Sequence, residues 1–254
     1  MPLLEVKSVS KRFGGVSALN QMSLAVNERE IVGLIGPNGA GKTSFFNCVT
    51  GLLPVDEGEI LFKNGEKRLH GLPPHQILER GVARTFQNLR IFKNMTLLEN
   101  VAVGFFARTR SGLWDAFLKT RRCQTEEKKV FAKSREILNF MGLEGQGNEI
   151  AANLSYGSQK RLEIARALAS DPKLLLLDEP VAGMNPNEKE QIVSLIRRIR
   201  DKNIAVLIIE HDMKVVMPLS ERVVVMDEGK KIAEGSPAEI KCNPRVIQAY
   251  LGES

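Results

Sequence analysis

Ile31-Val32-Gly33-Leu34-Ile35-Gly36-Pro37-Asn38-Gly39-Ala40-Gly41-Lys42-Thr43 decides how the rest of the chain is read. Its first five residues show no polar alternation, the pattern of a strand buried on both faces in a parallel sheet. Gly36 to Thr43 then match G-x-x-x-x-G-K-[ST] in full. Phe45, Phe46, Val49 and Leu52 follow at helical spacing, with Gly51 near the expected helix end. A strand, a glycine-rich loop and a helix in that order make an anion cradle. Glycines let backbone N–H groups converge on phosphate oxygens, and the helix N-terminus adds about half a positive charge. The pattern assigns Gly36, Pro37, Asn38, Gly39, Ala40, Gly41, Lys42, Thr43 and Ser44 to the phosphates of a nucleotide. Lys42 is expected on the β- and γ-phosphates and the Thr43 hydroxyl on Mg²⁺.

Two further apolar runs, Leu174 to Leu177 and Ile204 to Ile209, read as strands of the same sheet. Between them Ile192, Leu195, Ile196 and Ile199 recur at helical spacing, flanked by Arg197, Arg198 and Arg200. Strand, helix and strand give a right-handed parallel crossover. The first run ends in Asp178-Glu179-Pro180, at the strand end where such sheets bind ligands. Alternation along a strand points the two carboxylates differently. Asp178 is expected to hold Mg²⁺ through water and Glu179 to face the attacking water as general base. His211 follows the last run, where it would contact the γ-phosphate and keep the water and Glu179 in register. Gln87, in Arg84-Thr85-Phe86-Gln87-Asn88, offers an amide to Mg²⁺ or to the water. Each feature has a plainer reading alone: a glycine turn, a solvated strand end, a structural histidine. Together they favour nucleotide chemistry.

Residues 3–9, Met22 to Val26 and Glu59 to Phe62 read as strands of a small antiparallel layer. Residues 88–165 are helix-rich. Towards the end, Val223 to Met226, a turn at Asp227 to Lys230 and Lys231 to Ala233 read as a hairpin, and Ser236-Pro237-Ala238-Glu239 as a capped helix start. The expected architecture is α/β in a single domain, 1–254. A mostly parallel P-loop NTPase core (1–87 and 166–254) carries an N-terminal antiparallel β layer and an inserted helical subdomain (88–165).

The 254 residues are 43% hydrophobic and 26% charged, enough for a sizeable core. No apolar run approaches the roughly 18 to 20 residues of a membrane-spanning helix. Met1 to Lys7 has no apolar stretch of signal-peptide length, so the chain is expected to stay where it is made. Cys48, Cys123 and Cys242 are scattered and read as reduced thiols. The 36 basic against 30 acidic residues, net +6, read as a mild excess spread along the chain; nucleic acid or an anionic membrane is the other reading.

Leu154-Ser155-Tyr156-Gly157-Ser158-Gln159-Lys160-Arg161 precedes a helix and resembles L-S-G-G-Q, the signature motif of ABC-type ATPases. With the P-loop, Gln87, the acidic strand end and His211 in this order, the resemblance covers almost the whole chain. It implies an ATP-hydrolysing motor that pairs head to tail with a second, identical or paralogous, ATPase subunit. In such a pair ATP lies between one P-loop and the other subunit's signature helix, touching Ser155, Gly157 and Ser158. Phe13 is similar to the family's aromatic that stacks on adenine. The chain departs from the family at Tyr156 and Ser158, and at Asn185, where most members carry aspartate. These departures, with Leu162 to Leu168, Ala182 to Pro186 and Gly81 to Gln87, resemble the ATP-binding subunit of branched-chain amino acid importers. The resemblance then implies integral-membrane permease partners, an indirect link to a periplasmic or extracellular binding protein, and a peripheral position on the cytoplasmic face of the inner membrane. No nucleic acid partner is expected. An exporter motor for lipopolysaccharide or lipid, and a soluble ABC ATPase acting on ribosome or nucleic acid, are the alternatives. Leu113, Trp114, Phe117 and Leu118 beside Lys119, Arg121 and Arg122 suggest a helix that packs on its own subdomain or contacts permease or lipid.

Overall fold

The computed structural model describes residues 2–63, 65–108 and 121–251, with the side chains of 107, 108, 121–124 and 251 outside the description. The chain forms two compact units: Met1–Arg84 with Lys173–Ser254, and Thr85–Pro172. The second is wider than the insert read as 88–165. Its last helix runs on to Ala169, and the chain rejoins the sheet of the first unit at Lys173, whose N–H donates to the Gly81 carbonyl at 2.8 Å.

In the first unit a six-stranded sheet has the order β10-β9-β3-β8-β7-β6. Its parallel strands are β3 (Ile31–Ile35), β6 (Val82–Arg84), β7 (Leu174–Asp178), β8 (Ala205–Ile209) and β9 (Arg222–Asp227). β10 (Lys230–Gly235) closes one edge antiparallel to β9. Every residue of β3, β7 and β8 is buried, which is why these strands lack polar alternation. A four-stranded antiparallel sheet, order β2-β1-β4-β5, is built from β1 (Pro2–Phe13), β2 (Val16–Asn27), β4 (Glu57–Phe62) and β5 (Lys67–Arg68).

One apolar cluster joins the two sheets. Leu4, Val6, Met22 and Ile60 pack with Leu34, Leu176 and Leu207 and with Phe45 and Phe46 of α1 (Lys42–Val49). Burying one such side chain contributes roughly 1.5–3 kcal/mol, so the two phenylalanines anchor the helix that follows the glycine-rich loop. Leu52, read with that face, is 46% exposed instead. The helix ends at Val49, and Gly51 at φ 71 turns the chain away before Leu52 can extend the stripe. The unit also holds α2 (Pro74–Glu79).

The second unit contains α3 (Leu97–Gly104), α4 (Arg121–Phe140) and α5 (Tyr156–Ala169), packed on one another. Thr96 and Glu99 form a capping box on α3. The apolar and basic stretch read around Leu113 to Arg122 falls on 109–120, outside the described residues, and on the undescribed side chains after it.

Back in the first unit, α6 (Pro186–Asp201) buries Ile192, Leu195, Ile196 and Ile199, the residues picked out by spacing. After α7 (Met213–Leu219) and the β9–β10 hairpin, α8 (Pro237–Lys241) starts from the expected Ser236–Glu239 capping box, and α9 (Pro244–Leu251) follows. Cys48 and Cys242 are unpaired thiols, one buried and one exposed. Burial pushes the Cys48 thiol up to about 11.

Candidate active site

The loop after β3 owes its shape to contacts that admit no side chain. A Cβ on Gly36, at φ 155, would lie 2.1 Å from the Met226 carbonyl, and one on Gly41, at φ 96, would lie 2.4 Å from the Ala18 carbonyl. Both clashes are with backbone, so glycine is required twice over, by conformation and by space. The β9–β10 turn holds the loop from outside, the Gly229 N–H donating to the Ala40 carbonyl at 3.0 Å. Pro37 and Ala40 are buried while Asn38 and Gly39 form the exposed crest. Lys42 curls back along the loop, its Nζ 2.6 Å from the Gly36 carbonyl and 2.7 Å from the Pro37 carbonyl. Thr43 is exposed and Ser44 half-buried on the first turn of α1.

Two strands away along the sheet, β7 ends in Asp178, which is 2% exposed. Its Oδ2 accepts from Arg84 Nη2 of β6 at 2.7 Å. Arg84 also donates to Asn47 Oδ1 at 2.7 Å and lies over the Phe46 ring, 5.2 Å from its centroid. Glu179 has φ 46, a left-handed conformation that a glutamate adopts only when its surroundings hold it there. Part of that hold is its N–H, which donates to the Ile209 carbonyl at 2.9 Å. The reversal turns its carboxylate toward His211, Oε1 to Nδ1 3.6 Å, a contact too long for a hydrogen bond. Between Ile209 and His211 sits Glu210, 1% exposed. Its carboxylate accepts from the Val181 N–H at 3.1 Å and the His211 N–H at 3.2 Å, tying the loop after Glu179 to the loop that carries His211. Burial, partly offset by these hydrogen bonds, raises its pKa above the ordinary carboxyl value. Asn185 is the N-cap of α6, accepting from the Glu188 N–H at 3.0 Å while Glu188 reaches back to the Asn185 N–H.

Phe13 stands 47% exposed at the end of β1, with Lys11 Nζ 5.6 Å from its ring centroid. The remaining candidates lie in the second unit. Gln87 is exposed on the loop before α3, and its carbonyl accepts from Lys160 Nζ at 3.2 Å. Ser155 is the N-cap of α5, accepting from the Ser158 N–H at 3.3 Å. Ser158 is buried and takes a hydrogen bond from Arg161 at 3.0 Å, next to buried Gly157. Tyr156, where the signature pattern has glycine, projects 44% exposed from the first turn.

Residues 19–182 match the family model described as "ABC transporter". The chain belongs to the ABC transporter family. Residues 230–254 match a second model of that family, "Branched-chain amino acid ATP-binding cassette transporter". This ABC chain is 46% identical over 254 residues to the "High-affinity branched-chain amino acid transport ATP-binding protein LivG" of Salmonella typhimurium, covering 100% of this chain and 99% of that protein. Among solved structures it is similar to a nucleotide-free ATP-binding cassette from an ABC transporter, with TM-score 0.86 and 35% identity over 98% of this chain and 99% of the other. It is similar in the same degree to the ADP conformation of the cassette MJ1267, TM-score 0.86 and 33% identity, over 99% of each.

Three polar residues of this ABC chain stand beside the expected ones without having been singled out: Arg84 against Asp178, Glu210 between the Glu179 and His211 loops, and Lys160 behind Gln87. Arg84 and Glu210 share a signal, a charge set directly against a buried run, Val82-Ala83 before Arg84 and Ile208-Ile209 before Glu210; Lys160 has no such signal. A charge at such a place needs a partner, and the partner is distant in sequence.

Proposed function

We propose that this chain is the ATP-hydrolysing motor subunit of an importer for branched-chain amino acids. The observation that carries the reading is an edge shared by three adjacent strand ends. β3, β8 and β7 are parallel neighbours, and their C-terminal ends deliver the Gly36–Lys42 loop, the Glu210-His211 pair and the Asp178-Glu179 pair respectively. In parallel α/β sheets that edge is where ligands bind.

The residues divide the work as follows. Gly36, Pro37, Asn38, Gly39, Ala40, Gly41 and Ser44 surround the phosphates with N–H groups and the α1 N-terminus. Lys42 exchanges two carbonyls for phosphate oxygens, gaining charge-assisted hydrogen bonds in place of neutral ones. Phe13 stacks on the adenine. Thr43, Gln87 and Asp178 offer a hydroxyl, an amide oxygen and a carboxylate, the hard oxygen donors that suit Mg²⁺. Asp178 is already compensated by Arg84, which fits a role through water rather than direct ligation. When bound, Mg²⁺ neutralises charge on the phosphate oxygens. Glu179 accepts the proton of the attacking water, and His211 keeps that carboxylate aimed. Ser155, Gly157 and Ser158 act on the nucleotide of a second cassette, through the N-terminus of α5.

Among the described residues no helix is long and apolar enough to cross a membrane. Permease subunits, a second cassette and, through them, a substrate-binding protein are the proposed partners, and the cytoplasmic face of the membrane the proposed place. Full-length similarity to LivG, together with the match at residues 230–254, supports import of branched-chain amino acids over lipid export or action on nucleic acid. Glu179→Gln tests the chemistry. The variant is expected to bind ATP like the parent and to lose about 10²- to 10⁴-fold in turnover, the range of a general base. Hydrolysis at the parent rate would remove Glu179 from that role.

A further inference from the structure

Inside the helical unit, α5 carries a buried ion pair that none of these roles uses. Lys160 and Glu163 lie one turn apart, Nζ to Oε2 3.4 Å, each side chain 2% exposed. Two charges taken out of water lose more than their attraction returns unless their protons and lone pairs are satisfied. The partners here come from the loop that carries Gln87. Lys160 Nζ has three protons and three acceptors: the Phe86 carbonyl at 3.1 Å, the Gln87 carbonyl at 3.2 Å and Glu163. The other carboxylate oxygen, Glu163 Oε1, accepts from the N–H groups of Phe86 at 3.4 Å and Arg90 at 3.2 Å. The pair therefore grips the loop by its backbone on both sides of Gln87, whose residue is exposed. The helix that supplies the grip begins at the Ser155 cap.

We propose that Lys160 and Glu163 are positioning residues that join the Gln87 loop to the signature helix, so that Gln87 and Ser155 move as one piece. An apolar pair would fill the same space and hold no backbone. The charges give the loop directional, charge-assisted hydrogen bonds in a low-dielectric interior, where such bonds are strong. A shift of the loop is then transmitted to a stiff helix rather than absorbed between them. The inference rests on the proposed function, in which Gln87 and Ser155 both act on nucleotide.

The test uses the purified chain, Glu163→Gln and the double variant Lys160→Met/Glu163→Leu, each also in a Gln87→Ala background. The double variant removes both charges of the pair together and nearly keeps the volume, so it is expected to destabilise the fold less than Glu163→Gln, which leaves Lys160 without its counter-charge. Melting, ATP affinity and steady-state turnover are measured for each. ATP affinity is expected within about twofold of the parent and kcat about tenfold lower. In the Gln87→Ala background the further loss is expected to fall below about twofold, since residues acting through a shared partner are not additive. A folded double variant with parent-like turnover overturns the proposal. So does an equal fractional loss with and without Gln87, the result of general damage to the unit. Failure of the parent chain itself to bind or hydrolyse ATP contradicts the proposed function instead.

Discussion

Arg84→Leu is the most direct probe of how the acidic strand end is built. The guanidinium lies 2.7 Å from Asp178, with side chains 6% and 3% exposed, so the pair is out of water. Removing one partner of a buried pair leaves an uncompensated charge and costs about 3–5 kcal/mol. The lost bond from the charged guanidinium to Asn47 adds roughly 1.5–3 kcal/mol. A domain's whole stability is about 5–15 kcal/mol, so Arg84→Leu is expected to be close to the threshold of folding. At roughly 2–4 °C per kcal/mol for a chain of this size, the melting temperature should fall by about 10 °C or more. Arg84→Leu/Asp178→Asn removes the orphan charge and should recover most of the loss. Urea titration and thermal melting, followed by circular dichroism without nucleotide, read both variants. An Arg84→Leu protein within about 1 kcal/mol of the parent would show that Asp178 does not depend on Arg84 and would refute the argument.

Two further expectations concern the same loops. Asn185→Ala deletes the cap of α6 and should cost about 1 kcal/mol in urea titration, whereas Asn185→Asp keeps the cap and should cost nothing measurable. Glu210 has a raised pKa, so the folded state holds its proton more tightly than the unfolded chain. Its favourable contribution is complete below the ordinary value of 4.5 and is lost as pH rises through the higher folded value. Stability of the parent relative to Glu210→Gln should therefore decline as pH rises from 4.5 toward the folded value and level off above it, and a difference flat across that window or rising through it would contradict the assignment.

The sequence carried the site's chemistry better than its supports. Gly36 to Thr43 was legible because a phosphate cradle is local: each requirement falls on a fixed neighbour. β3, β7 and β8 were legible because burial on both faces leaves them apolar throughout, apart from Asp178 at the end of β7. β6 was not, being three residues at the sheet edge and ending in an arginine whose partner is distant in sequence. β1 and β2 each run 12 residues, well beyond the alternating stretches first visible. Register shifts interrupt their pairing, and Ser8 at φ 47 and Gln21 at φ 50 break the alternation that would have revealed the full length. Glu179's conformation has no sequence signal at all. A glutamate at positive φ is imposed by the loop around it, here partly through the Ile209 carbonyl. Lys160 and Glu163 carry no sequence signal of burial, and only the packed loop reveals that they are inside.

The measurement that bears most directly on the whole account is calorimetric titration of the folded chain with ATP, with and without Mg²⁺, beside Lys42→Ala. Saturable, Mg²⁺-dependent binding is expected. Lys42→Ala should weaken it by about 100-fold, since one or two hydrogen bonds to a charged group are each worth roughly 1.5–3 kcal/mol. A folded parent that takes up no ATP, or a Lys42→Ala variant that binds it equally well, would contradict the claim that the loop after β3 holds the nucleotide.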